Sequence, residues 1–374
     1  MLIRNTRERW GSLSQLFHWL IVALILVQAV LGLTGLLLPL GVEKLAVLAR
    51  HKSIGMSILA LAALRLLWRW VNPSPPLPSN LKPHERWLAH FTHVSLYGLL
   101  FAMPLTGWIM SSARGFPVSW FNLVQLPDLV PKSRTLYDAM VTTHAALAIA
   151  LAAVVTLHIA GAIKHHFVLK DDTLRRMLPF GRRLTLCALL GLLLSAPATR
   201  AAAGSRAAGP DYTLLGPRSS LTYTFIQAGA RNQGRFKSFT AHFDPAAGRL
   251  SVVIDMRSLG TGDSQRNGLL GGKDFFDVAQ YPQSRFTATR IERTATGYAA
   301  VGSLTLRGVT RPVTIPFTWR TATVQGRSVG YLSGQIVLRR LDFGVGQGQW
   351  HYTTWIGNDV TVRYSLVMDA SPGK

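Results

Sequence analysis

The chain has 374 residues, of which 48% are hydrophobic and only 15% are charged, and it carries a formal net charge of +23. The length leaves room for two or three domains, and the low charged fraction is unusual for a water-soluble protein. The basic residues form no cluster interleaved with aromatics, so we expect no nucleic-acid partner. With Cys187 as the only cysteine, the chain has no disulfide framework, no C-x-x-C-H haem attachment and no thiolate zinc site.

Long apolar runs up to about residue 198 predict membrane-spanning helices. Four candidate spans cover residues 16–40, 53–71, 87–110 and 137–166, and the Pro-rich segment NPSPPLPSNLKPHER between the second and third predicts a loop. Segments 1–15, 65–88 and 164–183 contain thirteen Lys and Arg residues, against six in segments 39–52 and 111–139. The positive-inside rule therefore predicts a cytoplasmic amino terminus.

Histidines recur at matched depths in these spans. His144 and His158 are fourteen residues apart, which corresponds to roughly 21 Å along one face of a helix. In the predicted topology His18 has the depth of His158, near the cytoplasmic side, and His51 has the depth of His144, near the outer side. Burying an ionisable side chain in a membrane costs free energy, so such residues usually have a function. The pattern of two depth-matched pairs therefore predicts two metal centres.

Two imidazoles on facing helices suit the axial positions of a haem that transfers electrons. Zinc is the alternative, although two histidines do not complete its shell and no carboxylate or thiolate lies nearby in the sequence. Small residues would admit a broad cofactor, or would simply allow close helix packing; these are Gly32, Gly35, Gly55, Gly98, Gly107 and Gly161.

The motifs SLSQLFHWL, RHKSIGM and the H-x13-H helix ending in KHHF resemble those of the bacterial cytochrome b561 family, over about residues 8–170. The resemblance implies a four-helix membrane bundle with two b haems and quinone-linked electron transfer. It assigns His18, His51, His144 and His158 as axial ligands of the haem iron. The redox donor is unknown, and superoxide at the outer haem is one option.

Two further histidines, His90 and His93, lie near the start of the third span. They are interpreted as an interfacial pair at the headgroups, with a quinone or proton role as the alternative.

A fifth apolar run, RRLTLCALLGLLLSAPATRAAAG, combines a basic start, a short apolar core and a small-residue end. That order is typical of a secretory signal, and it predicts that everything beyond is exported. Two outcomes remain open, cleavage of the segment or its retention as a membrane anchor.

Beyond Asp211 apolar residues alternate with polar ones, for example Leu221, Tyr223 and Phe225, and turn signals such as DPAAGR and RGVTRP separate the short runs. This pattern predicts an antiparallel barrel of about eight strands. The segments GRFKSFTAHFDP, KDFFDVAQYPQSRFTATRI and GSLTLRGVTRPVTIPF are similar to those of the YceI family, over about residues 211–370. The resemblance implies a lipocalin-like barrel that binds long isoprenoid chains. In one departure, the segment GTGDSQRNGLLGG is less acidic than is usual there.

Aromatic side chains of the barrel are predicted either to line a lipid tunnel or to fill a packed core. The candidates are Phe225, Phe239, Phe243, Phe286 and Phe317.

The predicted architecture is a multidomain protein: an all-α transmembrane di-haem bundle (1–180), a signal-like fifth helix and linker (181–210), and an all-β barrel (211–374). We expect a multi-pass protein of the bacterial inner membrane with a periplasmic barrel, passing electrons between an isoprenoid quinone and a second partner. The alternative is a periplasmic carrier of polyisoprenoid lipid that is tethered to a cytochrome.

Overall fold

The computed structural model describes residues 3–76, 81–178, 211–325 and 327–370. The chain divides into two compact units, residues 1–194 and 195–374, and each is described by itself. The predicted signal-like segment, 181–210, lies outside the described residues.

The first unit contains four long helices, α1 (Ser12–Leu37), α2 (Val42–Val71), α3 (Pro83–Arg114) and α4 (Arg134–Ile163), and a π-helical turn (Lys164–Val168) continues α4. All four are long and apolar enough to cross a membrane. The prediction of four apolar helices is confirmed.

Local signals set the helix ends. Pro83 occupies the first turn of α3, and the Glu85 side chain accepts a hydrogen bond from the Lys82 backbone N–H. The helix ends at Gly115, whose φ of +74° is the left-handed conformation that glycine adopts without strain. The Ser133 hydroxyl caps α4 by accepting from the Leu136 N–H at 3.3 Å.

The second helix starts at Val42, eleven residues before the predicted start of the second span at residue 53. The added segment, VEKLAVLARHK, has no proline or glycine, and Glu43 lies in the first turn, where the helix dipole favours a negative charge. His51 therefore lies inside α2 rather than just before it.

The core of this unit lies between α1, α2 and α3. Ile21, Ile58, Ala62 and Leu100 are buried there and are surrounded by partly buried apolar side chains. Helix α4 packs along α3 but makes few close approaches to α1 and α2. None of its side chains is fully buried.

The connection between α3 and α4 contains a short hairpin that was not predicted, made of β1 (Ser119–Trp120) and β2 (Val124–Gln125). It is held against α2 by hydrogen bonds: the Ser53 hydroxyl donates to the Ser119 carbonyl and accepts from the Phe121 N–H, and the Trp120 indole donates to the Ser57 hydroxyl. The hairpin therefore covers the α2 face close to His51.

The second unit is an antiparallel β-structure. Its strands are β3 (Tyr212–Leu214), β4 (Ser220–Gln227), β5 (Ala230–Phe236), β6 (Phe239–Asp244), β7 (Arg249–Asp255), β8 (Leu259–Gly260), β9 (Gln283–Thr294), β10 (Gly297–Leu306), β11 (Val309–Val324), β12 (Arg327–Arg339) and β13 (Ile356–Ala370). Six of these segments, β3 to β8, form three interrupted strands: β3 with β4, β5 with β6, and β7 with β8. In the first, β3 and β4 both pair with β13. In the second, β6 pairs with β3 and β7, and β5 pairs with β4 and β8. Eight strands thus follow one another and close when β13 pairs with the first, which confirms the predicted barrel.

One end of the barrel carries a helix, α5 (Ser264–Gly271), and the long connection between β12 and β13. The Asp263 carboxylate caps α5 by accepting from the Arg266 N–H at 2.7 Å. The segment GTGDSQRNGLLGG is therefore helical, although it is less acidic than expected.

At the same end, the buried Arg340 guanidinium donates to five backbone carbonyls of the β12–β13 connection and the start of β13; the acceptors are Val345, Gly346, Trp350, Ile356 and Gly357.

Candidate functional site

The four predicted histidines come together as two pairs. The outer pair is His51 on α2 and His144 on α4, with ring centres 6.4 Å apart. The inner pair is His18 on α1 and His158 on α4, with ring centres 6.2 Å apart. The names follow the topology predicted from the sequence.

The spacing of each pair can be compared with the size of a metal centre. An axial imidazole nitrogen lies about 2 Å from its metal and about 1 Å from its own ring centre, so two imidazoles on opposite sides of one iron have ring centres about 6 Å apart. Both pairs match this separation. Within the described residues no group of three or more His, Cys, Asp or Glu side chains could hold a metal ion.

The imidazoles of the outer pair lie against glycines. A Cβ at Gly32 on α1 would lie 3.2 Å from His51 Cε1, and a Cβ at Gly107 on α3 would lie 3.2 Å from His144 Cε1. Larger residues would push the rings out of place. The absence of side chains at these two glycines therefore leaves room for the imidazoles.

Hydrogen bonding differs between the two residues of the outer pair. The Thr106 hydroxyl lies 3.1 Å from His144 Nδ1 and 2.9 Å from the Ala102 carbonyl. When the hydroxyl donates to the carbonyl it can accept a hydrogen bond from Nδ1, and in that tautomer Nε2 keeps its lone pair for a metal. The Gln28 amide of α1 donates to the His51 backbone carbonyl of α2 at 2.8 Å. The His51 Nδ1 atom is buried and has no hydrogen-bond partner in the described part of the chain.

The inner pair has a third imidazole beside it. His93 on α3 has its ring centre 5.4 Å from that of His158. His90, by contrast, is exposed, and its Nδ1 lies 2.8 Å from the Arg86 carbonyl of its own helix. His93 therefore belongs to the histidine cluster and His90 does not, and the interfacial position of the two residues stays a prediction.

The segment after α4 contains a hydrogen-bonded histidine–aspartate pair that was not predicted from the sequence. His165 Nδ1 lies 2.6 Å from the Asp171 carboxylate, and both side chains are largely shielded from solvent. Burial raises the pKa of the Asp171 carboxyl, but hydrogen bonds from Thr173 and His165 outweigh it and hold the pKa below its usual range. The Asp171 carboxylate thereby fixes the orientation of the His165 ring.

All five candidate phenylalanines lie on inward positions of the barrel strands. Phe225, Phe243, Phe286 and Phe317 are buried and Phe239 is half-buried. Phe243 contacts Phe317 and Trp319, with ring centres 5.7 and 4.7 Å away. Phe243 and Phe317 are thus packed among other aromatics.

The inner face of β4 and β5 carries two polar groups. Tyr223 and Asn232 are both 5% exposed, and the tyrosine hydroxyl and the Asn232 Oδ1 atom have no hydrogen-bond partner among the residues the structure describes. Burial raises the pKa of Tyr223 to about 12. Residue type alone did not reveal these two inward polar groups.

Comparisons with known proteins follow the same two-part division. The family model "Prokaryotic cytochrome b561" matches residues 9–180. Cytochrome b561 homolog 2 of Escherichia coli K12 is 37% identical over 182 residues, which cover 48% of this chain and 95% of that protein.

The model "YceI-like domain" matches residues 212–368. A UPF0312 protein of Yersinia enterocolitica is 41% identical over 87 residues, and the match spans 22% of this chain and 45% of that protein.

Two solved structures are also similar. BcnA of Burkholderia cenocepacia is 31% identical, with a TM-score of 0.38, and the match covers 41% of this chain and 98% of that one. A polyisoprenoid binding domain from Saccharophagus degradans is 18% identical, with a TM-score of 0.34, and the match covers 44% and 100%. Its match to nearly the whole length of the E. coli protein shows that the chain belongs to the cytochrome b561 family of membrane haem b proteins, and its second unit is a YceI-like domain.

Proposed function

We propose that this protein is a membrane oxidoreductase that holds two b haems and passes electrons between an isoprenoid quinone and a second redox partner. His18 and His158 bind the inner haem, and His51 and His144 bind the outer haem. The haems supply the redox chemistry, and the protein fixes their ligation and separation. The observation that carries the proposal is the ring-centre spacing of 6.2 and 6.4 Å in two pairs at different depths.

The quinone site is proposed at the inner end of α4. His165 lies seven residues beyond His158, roughly 10 Å further along the helix axis, in the π-helical turn that continues α4. A quinone takes up protons when it is reduced, so a proton-exchanging group near the inner haem is required. The His165–Asp171 pair, at 2.6 Å, supports this position because the carboxylate holds one ring nitrogen and leaves the other for a quinone oxygen.

The second redox partner is proposed to reach the outer haem from the periplasm. Lys52, next to His51, places its ammonium over the Phe116 ring at 5.8 Å, and the Arg114 guanidinium lies 5.4 Å from the same ring. A basic surface attracts small anions by electrostatic steering. A one-electron donor such as superoxide fits this end of the bundle.

The barrel is proposed to bind an isoprenoid chain, that of the quinone or of another lipid. Its inward aromatic positions supply apolar contact area, and Tyr223 and Asn232 supply polar groups for a head group. In the proposed topology the amino terminus is cytoplasmic and the barrel is periplasmic.

Purified full-length protein tests the proposal. We expect two haems per chain, extractable with acid acetone, and reduction of both by a quinol. His165→Gln should slow quinol-dependent reduction and leave haem content unchanged, whereas the neighbouring His166→Gln should change neither. A single haem per chain would contradict the two-site assignment. Tight isoprenoid binding without quinol reactivity would favour the lipid carrier instead.

A further inference from the structure

A small cavity at the inner end of the bundle is lined by hydrogen-bond donors. It lies between the amino-terminal arm, α1, α2, α3 and Met177, and its walls include Arg65, Arg69, Asn72 and Tyr97. Both guanidiniums lie on the Tyr97 ring, 5.6 and 5.7 Å from its centre. Neither arginine forms an ion pair within the described residues, and the lining contains no acidic side chain.

The buried Asn72 adds a donor whose identity is fixed. Its Oδ1 atom accepts from the Asn5 backbone N–H at 3.1 Å, and because that N–H can only donate, the other amide atom is Nδ2. Asn72 is only 4% exposed, and its Nδ2 has no hydrogen-bond partner in the parts of the chain that the structure describes. The cavity thus offers two cations and an unsatisfied donor.

The cavity lies close to the histidine cluster. Its lining includes Ser14, one helical turn before His18 on α1, and Tyr97, one turn after His93 on α3. A charged side chain inside a membrane bundle pairs with an opposite charge. A phospholipid headgroup would meet the exposed Arg69 first, whereas Arg65 is half-buried.

We propose that Arg65, with Arg69 and Asn72, binds a propionate carboxylate of the inner haem. The proposal rests on the ligation of that haem by His18 and His158. A guanidinium presents two parallel N–H groups to a carboxylate, which a lysine cannot do. Arg65 is accordingly a positioning residue that retains and orients the haem.

A double-mutant cycle between protein and cofactor tests this assignment. Full-length wild type and Arg65→Gln are reconstituted with haem b or with its dimethyl ester, which lacks the propionate charges. The transfer of each haem to excess apomyoglobin is then followed separately. With haem b, Arg65→Gln should speed loss of the inner haem roughly 10- to 100-fold and leave the outer haem unaffected. With the ester, wild type and variant should lose the inner haem at the same rate.

Two further variants complete the experiment. Arg65→Lys should lie between wild type and Arg65→Gln, and Arg86→Gln, which removes an exposed charge of the same end outside the cavity, should behave as wild type. Equal acceleration by Arg65→Gln with both haem forms would overturn the assignment. So would an unchanged haem loss accompanied by release of a co-purifying phospholipid. Failure of the two-haem assignment would show separately, as a wild type without an inner haem.

Discussion

The hydrogen bond from His144 to Thr106 gives the sharpest test of the outer site. Thr106→Val keeps the branched shape of the side chain and removes the hydroxyl that lies 3.1 Å from His144 Nδ1. Loss of a hydrogen bond to a metal-bound histidine weakens metal binding about 10- to 100-fold, or about 1.4 to 2.8 kcal/mol. We expect the outer haem to transfer to apomyoglobin faster by this factor, and the inner haem to be unaffected.

A matched control lies one residue from the ligand. The Thr143 hydroxyl donates to the Ala139 carbonyl of its own helix at 2.9 Å, on an exposed part of α4. Thr143→Val therefore removes the same chemical group without touching the ring. If the two valine variants lose the outer haem at the same rate, the hydroxyl of Thr106 does not orient His144.

Three other predictions concern packing and pH. Gly107→Val should lower outer-haem content, because a Cβ there already lies 3.2 Å from His144 Cε1. The control, Gly161→Val, has nothing within 4 Å of its Cβ and should retain the outer haem. Haemochrome spectra measure the haem content of both variants. Arg340→Met should destabilise the barrel by about 4 kcal/mol or more, since it leaves five carbonyls without their donor. The control, Arg339→Met, removes only an exposed ion pair of 3.5 Å and should change thermal unfolding little. Burial raises the pKa of Tyr223 from 10.0 to about 12. The stability that this shift contributes is therefore complete below pH 10 and is lost as the pH rises to about 12. A Tyr223→Phe barrel should lose less stability over that interval, and the same pH dependence of unfolding in wild type and variant would contradict this.

The histidine pairs were predictable because they depend on spacing along one helix and on the distribution of charge between helices. Fourteen residues place His144 and His158 on one face, and the basic loops give their depths. The supporting groups were not predictable, because Thr106 and Gly32 act on residues of other helices. The different surroundings of His90 and His93 were not predicted, because the two are only three positions apart, about 60° around the helix. That rotation separates the exposed surface from the bundle interior.

In the barrel, alternation predicts inward positions such as Phe243 and Phe317. It does not show which of them pack among other aromatics, since Phe243 on β6 contacts Phe317 and Trp319 on β11, which are distant in the sequence. The role of Arg340 was equally hidden, because its partners are backbone carbonyls and a carbonyl has no sequence signature. The start of α2 was not predicted, because the helix begins in a polar segment around Glu43 that lies outside the apolar run.

Haem content and redox spectra of the histidine variants test the central claim most directly. The full-length wild type should contain two noncovalent b haems, and His144→Ala should retain only the inner one. Because the His93 ring lies 5.4 Å from that of His158 and offers a substitute ligand, the reciprocal variant is His158→Ala combined with His93→Leu, which should retain only the outer haem. A wild type with one haem, or two variants that lose the same haem, would contradict the two-site account.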